Sequence, residues 1–191
     1  MNPYNTEHLK IVKALQTSQF DINTIFVTPA NIDPFELEDM LTHLSQITID
    51  TLCYTKVDLC QRVAAMLHAI THFDIPNHLF SSTDSVDKEL KTLDAKEILA
   101  LLLSQKTQSS PLQKVSQAMT NIATKFKSQS NASKESVPPA VTVIASGKGG
   151  VGKTWCSITL ATLAAKAGKK ILLFDGDIGL TNVDIQLDSV D

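Results

Sequence analysis

Residues 146–154 read Ser-Gly-Lys-Gly-Gly-Val-Gly-Lys-Thr, and this stretch decides the fold. From its first glycine onward it fits the phosphate-binding pattern Gly-x-x-x-x-Gly-Lys-Thr. Residues 140–145 before it are apolar and rich in β-branched side chains, so they predict a strand. Residues 155–167 after it predict a helix that ends at Gly168. A glycine loop between a strand and a helix is the setting in which this pattern binds phosphate.

The residue types in this loop suit a bound triphosphate. Glycines allow the backbone to wrap the phosphates closely and to aim successive N–H groups at their oxygens. The N-terminus of the helix adds a positive end. Lys153 should reach the β and γ phosphates, and the Thr154 hydroxyl should ligate the Mg²⁺ that bridges them. The alternative is a glycine-rich turn that carries a lysine by chance.

The residues predicted to bind the nucleotide are consecutive in the loop and in the first turn of the helix. They are Gly147, Lys148, Gly149, Gly150, Val151, Gly152, Lys153, Thr154 and Trp155. Trp155 is expected mainly to pack the helix against the sheet, with stacking on a base as the alternative. Lys148 is not required by the general pattern, and its simplest interpretation is a solvated loop charge.

A second group of candidate residues follows an apolar run at 171–174, just after Lys169 and Lys170. This run is apolar on both faces, which predicts a central strand of a parallel sheet. Asp175 and Asp177 come directly after it. Acidic residues beyond the carboxyl end of such a strand lie where ligands bind in open α/β sheets. They are therefore candidates for the nucleotide site, with turn formation as the alternative.

With its early lysine, the string Lys-Gly-Gly-Val-Gly-Lys-Thr resembles the deviant Walker A motif of the MinD/ParA family of ATPases. The resemblance implies ATP and Mg²⁺ as cofactors and an ATP-dependent homodimer in which Lys148 reaches the partner's nucleotide. It implies a catalytic set of Lys148, Lys153 and Asp177, with Asp177 positioning the attacking water. It also implies a metal set of Thr154, Asp175 and Asp177, with Asp175 acting through water.

Within that family, the residues Gly179-Leu180-x-Asn182-Val183-Asp184 most resemble the flagellar regulators of the FlhG/FleN/YlxH subfamily. This resemblance implies a regulator of flagellar number or placement with a flagellar or polar-localisation partner. It also implies a cytoplasmic protein, peripheral at the membrane through a partner. The family's switch strand and base-binding region would follow residue 191, so the domain is expected to be incomplete and its hydrolysis of ATP uncertain. The alternatives are an interaction module with a vestigial nucleotide site and a ParA-like DNA-partition ATPase.

The first part of the chain alternates between helix and strand patterns. The predicted helices are 5–18, one capped by Asp33, one capped by Asp58, and 94–103; the predicted strands are 24–28, 49–54 and 79–80. Strands separated by helices need crossover connections, so the sheet should be parallel. The sequence therefore predicts an α/β, parallel-sheet P-loop NTPase fold, incomplete and in two parts. Residues 1–104 and 140–191 are the two parts, and 105–139 are a polar linker with a possible helix at 112–126.

Residues 25–103 resemble the C-terminal half of the signal-recognition-type GTPases, especially the flagellar FlhF group. The resemblance implies that Thr55-Lys56-Val57-Asp58 contacts guanine, whereas the simpler interpretation of Asp58 is a helix cap. Residues 1–50 contain no glycine, so this part cannot form a phosphate loop alone. A composite parallel sheet, with strands of both parts in permuted order, is one possible solution. Two separate sheets would rule it out.

Composition narrows the classes of protein further. Of 191 residues, 43% are hydrophobic, which is enough for a packed core, and the net charge of -3 gives no direct sign of nucleic-acid binding. The N-terminus lacks the pattern of a secretory signal, and the longest apolar run is far shorter than the roughly 20 residues of a transmembrane helix. The three cysteines lack metal-ligand spacing and are expected to be reduced and mostly buried.

Overall fold

The computed structural model describes residues 6–60, 63–81, 90–93 and 140–176. In chain order the elements are α1 (Thr6–Gln16), β1 (Asp21–Pro29), α2 (Pro34–His43), a 3₁₀ turn (Leu44–Gln46), β2 (Thr51–Thr55), a second 3₁₀ turn (Val57–Leu59), α3 (Ala64–His72), β3 (Asn77–Phe80), β4 (Lys91–Thr92), β5 (Ala140–Ser146) and α4 (Lys153–Lys166). The five strands form one sheet in the order β4-β3-β2-β1-β5. All neighbouring pairs are parallel except β3–β4. The predicted α/β class with a mostly parallel sheet is confirmed.

The strand before the phosphate loop joins the sheet of the first part. β5 pairs with β1 over seven residues, from Asp21 opposite Ala140 to Val27 opposite Ser146. β1 also pairs with β2 on its other side, so it joins β5 of the second part to the strands of the first part. The composite sheet in permuted order, raised as one possible solution from the sequence, is the arrangement that the structure has.

The helices cover both faces of this sheet. Alternation along a strand sends successive side chains to opposite faces. The larger core combines Phe26, Leu52 and Tyr54 of the sheet with apolar residues of α1, α2 and α3. On the other face, Ile25, Val27 and Cys53 contact Val151 and Cys156, which belong to the loop and to α4. The loop and helix of the second part therefore pack directly on strands of the first.

The predicted start of α2 is confirmed. Asp33 is its N-cap, and its carboxylate accepts hydrogen bonds from the backbone N–H groups of Phe35 (2.9 Å) and Glu36 (3.2 Å). Pro34 occupies the first turn, where its missing N–H costs nothing. This cap fixes the direction in which α2 leaves β1, and with it the position of Glu36 beside the phosphate loop.

The prediction that Asp58 caps the third helix is wrong. Asp58 lies inside the 3₁₀ turn, and α3 begins only at Ala64. The backbone N–H of Val57 donates to the Ser81 carbonyl (3.3 Å), and that of Cys60 donates to the Val57 carbonyl (3.1 Å). These bonds close a tight turn after β2, so the chain cannot enter a helix directly from the strand.

The prediction of a central strand at 171–174 is also wrong. The segment 169–176 has no strand pairing, and the side chains of Leu172 and Phe174 are 92% and 79% exposed. An apolar strand is stable when both faces of the sheet around it are covered. The first three residues of β5, at the open edge of the sheet, are exposed. A further strand placed next to them would therefore bury little of its own apolar surface. The predicted helices at 94–103 and 112–126, the linker, Asp177 and the motif at 179–184 lie outside the described residues.

Candidate functional site: the phosphate loop and its surroundings

The loop 147–152 connects the end of β5 to the start of α4. Gly150 and Gly152 adopt positive φ angles of 68° and 96°, a region that side chains disfavour. At Gly152 a β-carbon would also lie 3.2 Å from the Thr55 methyl group. Gly152 is the N-cap of α4, and its carbonyl accepts the Cys156 N–H at 2.9 Å. A side chain at either position would therefore strain the loop, which explains why both residues are glycine.

Lys153 is the first residue of α4, and its side chain turns back over the loop. Its ammonium lies 3.4 Å from the Lys148 carbonyl, which also accepts the Ser146 hydroxyl at 2.9 Å. The positive charge is thus held beside the loop backbone. This is the placement that allows a lysine to reach phosphates bound in the same loop.

Lys148 forms an ion pair that the sequence did not predict. Its ammonium contacts the carboxylate of Glu36, in the first turn of α2. The Lys148 side chain is 56% exposed, so water screens the pair and its contribution to stability is small. The pair holds the early lysine of the motif against its own chain, at the carboxyl edge of the sheet.

The turn after β2 supports the loop from behind. The Thr55 hydroxyl donates to the Val151 carbonyl at 2.6 Å, and the Lys56 ammonium donates to the Gly150 carbonyl at 3.0 Å. Lys56 has a positive φ of 56°, which is uncommon for a residue other than glycine. The resemblance to the signal-recognition-type GTPases places these two residues in a base-contacting motif. No local signal in the sequence indicates that they contact a loop 94–96 residues away.

The other predicted site residues are distributed around the start of α4. Thr154 and Trp155 are half-buried in its first turn, and Trp155 packs against the cluster of Val27, Cys53 and Cys156, as predicted. Asp175 is half-buried and follows the unpaired segment 169–174. Its partner in the predicted metal set, Asp177, lies outside the described residues. The structure therefore describes the loop and the two lysines but only part of the proposed metal site.

Two cysteines connect α4 to the sheet beneath the loop. The Cys156 thiol donates to the Cys53 sulfur at 3.8 Å, and both residues are buried and free. The hydrogen bond with Cys156, followed by burial, raises the pKa of Cys53 well above its ordinary value. Cys53 is therefore a neutral packing residue at physiological pH, as expected for a reduced, buried thiol.

No helix within the described residues is long and apolar enough to cross a membrane.

Comparison with known proteins agrees with the geometry of the loop. Residues 142–190 match the CobQ/CobB/MinD/ParA nucleotide binding domain. The chain is 58% identical over 45 residues to an uncharacterized ATP-binding protein of Methanocaldococcus jannaschii, covering 24% of this chain and 17% of that protein. It is 48% identical over 50 residues to the antiactivator FleN of Pseudomonas aeruginosa, covering 26% and 18%.

A third relative is the septum site-determining protein MinD of Escherichia coli, 53% identical over 45 residues, which are 24% of this chain and 17% of that protein. The chain thus spans less than a fifth of the length of each of these relatives. No solved structure matches it. The similarity to the CobQ/CobB/MinD/ParA nucleotide binding domain is therefore carried by residues 142–190, the segment that contains the glycine loop.

Proposed function

We propose that this chain binds a magnesium nucleoside triphosphate, with ATP as the first candidate, through the loop 147–152 and the start of α4. The observation that carries the proposal is the loop itself: Gly150 and Gly152 in the left-handed conformation, with Lys153 held over the backbone. Backbone N–H groups, a lysine and the Thr154 hydroxyl are the groups that suit a triphosphate with Mg²⁺. When bound, Mg²⁺ neutralises phosphate charge, and Thr154, Asp175 and Asp177 are the residues proposed to hold it.

The proposed roles in hydrolysis follow the MinD/ParA resemblance. Lys153 contacts the β and γ phosphates, Asp177 orients the attacking water, and Lys148 acts on the nucleotide of a second copy of the chain. This last role requires the Lys148 ammonium to leave Glu36. Because the ion pair is partly exposed, separating it costs little, and a nucleotide-dependent dimer could draw Lys148 across.

The proposed biological role is the regulation of flagellar number or placement, with a flagellar or polar-localisation partner. Its support is the similarity to the antiactivator FleN over 50 residues. The similarity to the septum site-determining protein MinD is of comparable strength, so a division role is the neighbouring possibility. In either role the protein would act in the cytoplasm, or at the membrane surface through a partner.

Titration with a fluorescent ATP analogue in the presence of Mg²⁺ tests the proposed function. The intact chain should bind the analogue, and Lys153→Ala should abolish binding, because the phosphates lose their positive partner. Lys170→Ala is a matched control, since Lys170 is an exposed lysine beyond the end of α4. Binding that survives Lys153→Ala, or no binding by the intact chain, would refute the proposal and favour a non-catalytic interaction module.

A second candidate ligand is GTP, and one specific contact favours it. The turn that carries Lys56 and Asp58 rests against the phosphate loop through the bond from Lys56 to the Gly150 carbonyl. Asp58 is exposed at this edge, and a carboxylate accepts hydrogen bonds but cannot donate them. The edge of guanine offers two adjacent N–H donors, whereas adenine offers one amino group. Competition between unlabelled ATP and GTP decides between the candidates, and with GTP as ligand Asp58→Ala should remove the preference.

A further inference from the structure

Two consecutive carbonyl groups of the phosphate loop are held from outside the loop. Thr55 donates its hydroxyl to the carbonyl of Val151 at 2.6 Å, and Lys56 donates its ammonium to the carbonyl of Gly150 at 3.0 Å. The Thr55 hydroxyl is also 3.5 Å from the Thr28 carbonyl, but that distance is too long for a good O–H···O bond. Its hydrogen bond is therefore directed at the loop.

These bonds determine where the loop's N–H groups point. In a planar trans peptide, the C=O and the N–H of the next residue point in opposite directions. Fixing the Gly150 carbonyl toward Lys56 therefore fixes the Val151 N–H away from Lys56. Fixing the Val151 carbonyl toward Thr55 likewise directs the Gly152 N–H away from Thr55. Both N–H groups are thus kept from turning toward Thr55 and Lys56, which leaves them able to donate to an anion in the loop.

The local structure of β2 presents both side chains to the loop. Thr55 is the last residue of the strand, and the alternation along β2 places it on the same face as Cys53, beneath α4. Thr55 is 4% exposed, so its hydroxyl depends on a protein partner. Lys56 adopts a left-handed conformation that most residues avoid, and strain of this kind persists where the surrounding contacts enforce it.

We propose that Thr55 and Lys56 are positioning residues of the nucleotide site, which fix the peptide orientations of the loop before the phosphates arrive. This inference rests on the proposed function and adds to it. Both residues lie outside the segment that matches the nucleotide-binding family, 142–190, so that similarity does not assign them a role. They also place the Lys56 charge at the loop, where it adds to that of Lys153.

The test uses the full chain and compares Thr55→Val with Thr55→Ser. Valine keeps the shape but removes the hydroxyl, and serine restores it. Thr55→Val should weaken binding of the Mg²⁺-bound fluorescent ATP analogue about tenfold, because the Val151 carbonyl loses its partner. Thr55→Ser should bind within about twofold of the intact chain, since it restores the donor. Thr28→Val is the matched control, a buried threonine on β1, and should leave affinity unchanged.

A second readout separates positioning of the loop from contact with the base. Inorganic tripolyphosphate, used as the competitor, has phosphates but no base, and its affinity should fall by the same factor in Thr55→Val. Lys56→Met gives an independent variant at an exposed position and should weaken the binding of both ligands, whereas Lys56→Arg should weaken it less. Thermal unfolding of each variant shows whether the chain remains folded.

The outcomes separate the positioning role from the proposed function. Equal affinity of Thr55→Val and the intact chain would overturn the positioning role and leave the proposed function standing. Loss in Thr55→Ser as large as in Thr55→Val, or loss for the ATP analogue but not for tripolyphosphate, would also overturn it. If the intact chain binds neither ligand, the proposed function fails and the positioning role fails with it.

Discussion

Shortening the Val27 side chain to alanine tests whether α4, the helix after the phosphate loop, packs on the sheet of the first part. Val27 is fully buried in β1, opposite Cys53 on one side and Ser146 on the other. It contacts the cluster that contains Val151 and Cys156. Val27→Ala removes two buried carbons, worth about 0.8 kcal/mol each, and the cavity left behind adds to this. The expected loss of unfolding free energy is about 2–3 kcal/mol.

The assay is urea unfolding followed by two signals. Trp155 is the single tryptophan and lies in α4, so its fluorescence reports on the second part, while far-UV circular dichroism reports on all elements. At about 1–3 kcal/mol per molar urea, the midpoint should fall by roughly 1 M in both signals together. Val141→Ala, at a residue 38% exposed on β5, is the control and should cost about 0.5 kcal/mol or less. A Trp155 transition that stays in place while the dichroism transition moves would refute the composite packing.

Two further variants test the interior. Within the described residues, the buried Thr28 hydroxyl has no hydrogen-bond partner, so Thr28→Val should raise the unfolding free energy by about 1 kcal/mol in urea unfolding; a decrease would contradict this. The Cys156 bond and burial keep Cys53 protonated in the fold above its ordinary pKa of 9.0, whereas the unfolded chain ionises. The contribution of Cys53 should therefore be constant below that pH and be lost above it, and Cys53→Ala should reduce the fall in stability between pH 9 and 10, whereas Cys60→Ala should retain it. Above its ordinary pKa of 10.0 the buried Tyr54, whose pKa is raised by burial, adds a loss that both variants keep.

The sequence predicts those features that depend on local chemistry. The glycine loop, the strand before it and the helix after it follow from one motif, and Gly168 ends the helix at a φ of 77° as predicted. Asp33 caps α2 because its carboxylate and Pro34 together favour a helix start. The parallel sheet follows from alternating helix and strand patterns.

The features that the sequence could not predict depend on distant neighbours. The apolar run at 171–174 has the composition of a buried strand, but burial requires covered faces on both sides, and its own residues cannot reveal that. Asp58 has the spacing of a helix cap, but a bond from Val57 to Ser81 fixes a tight turn there instead. The contacts of Thr55 and Glu36 with the loop depend on the composite sheet, which places residues about a hundred positions apart together.

The order of strands in the sheet has a consequence for synthesis. Thr55 leaves the ribosome well before Val151, 96 residues later, and at about 5–20 residues per second this interval is about 5–20 s. During translation, the nascent chain therefore has β1 with one open edge, which any extended segment can join. Arrival of Ala140–Ser146 closes that edge and completes the loop's support in one step. A ribosome that stalls before residue 140 would leave that edge open and the nascent chain prone to pair with its neighbours.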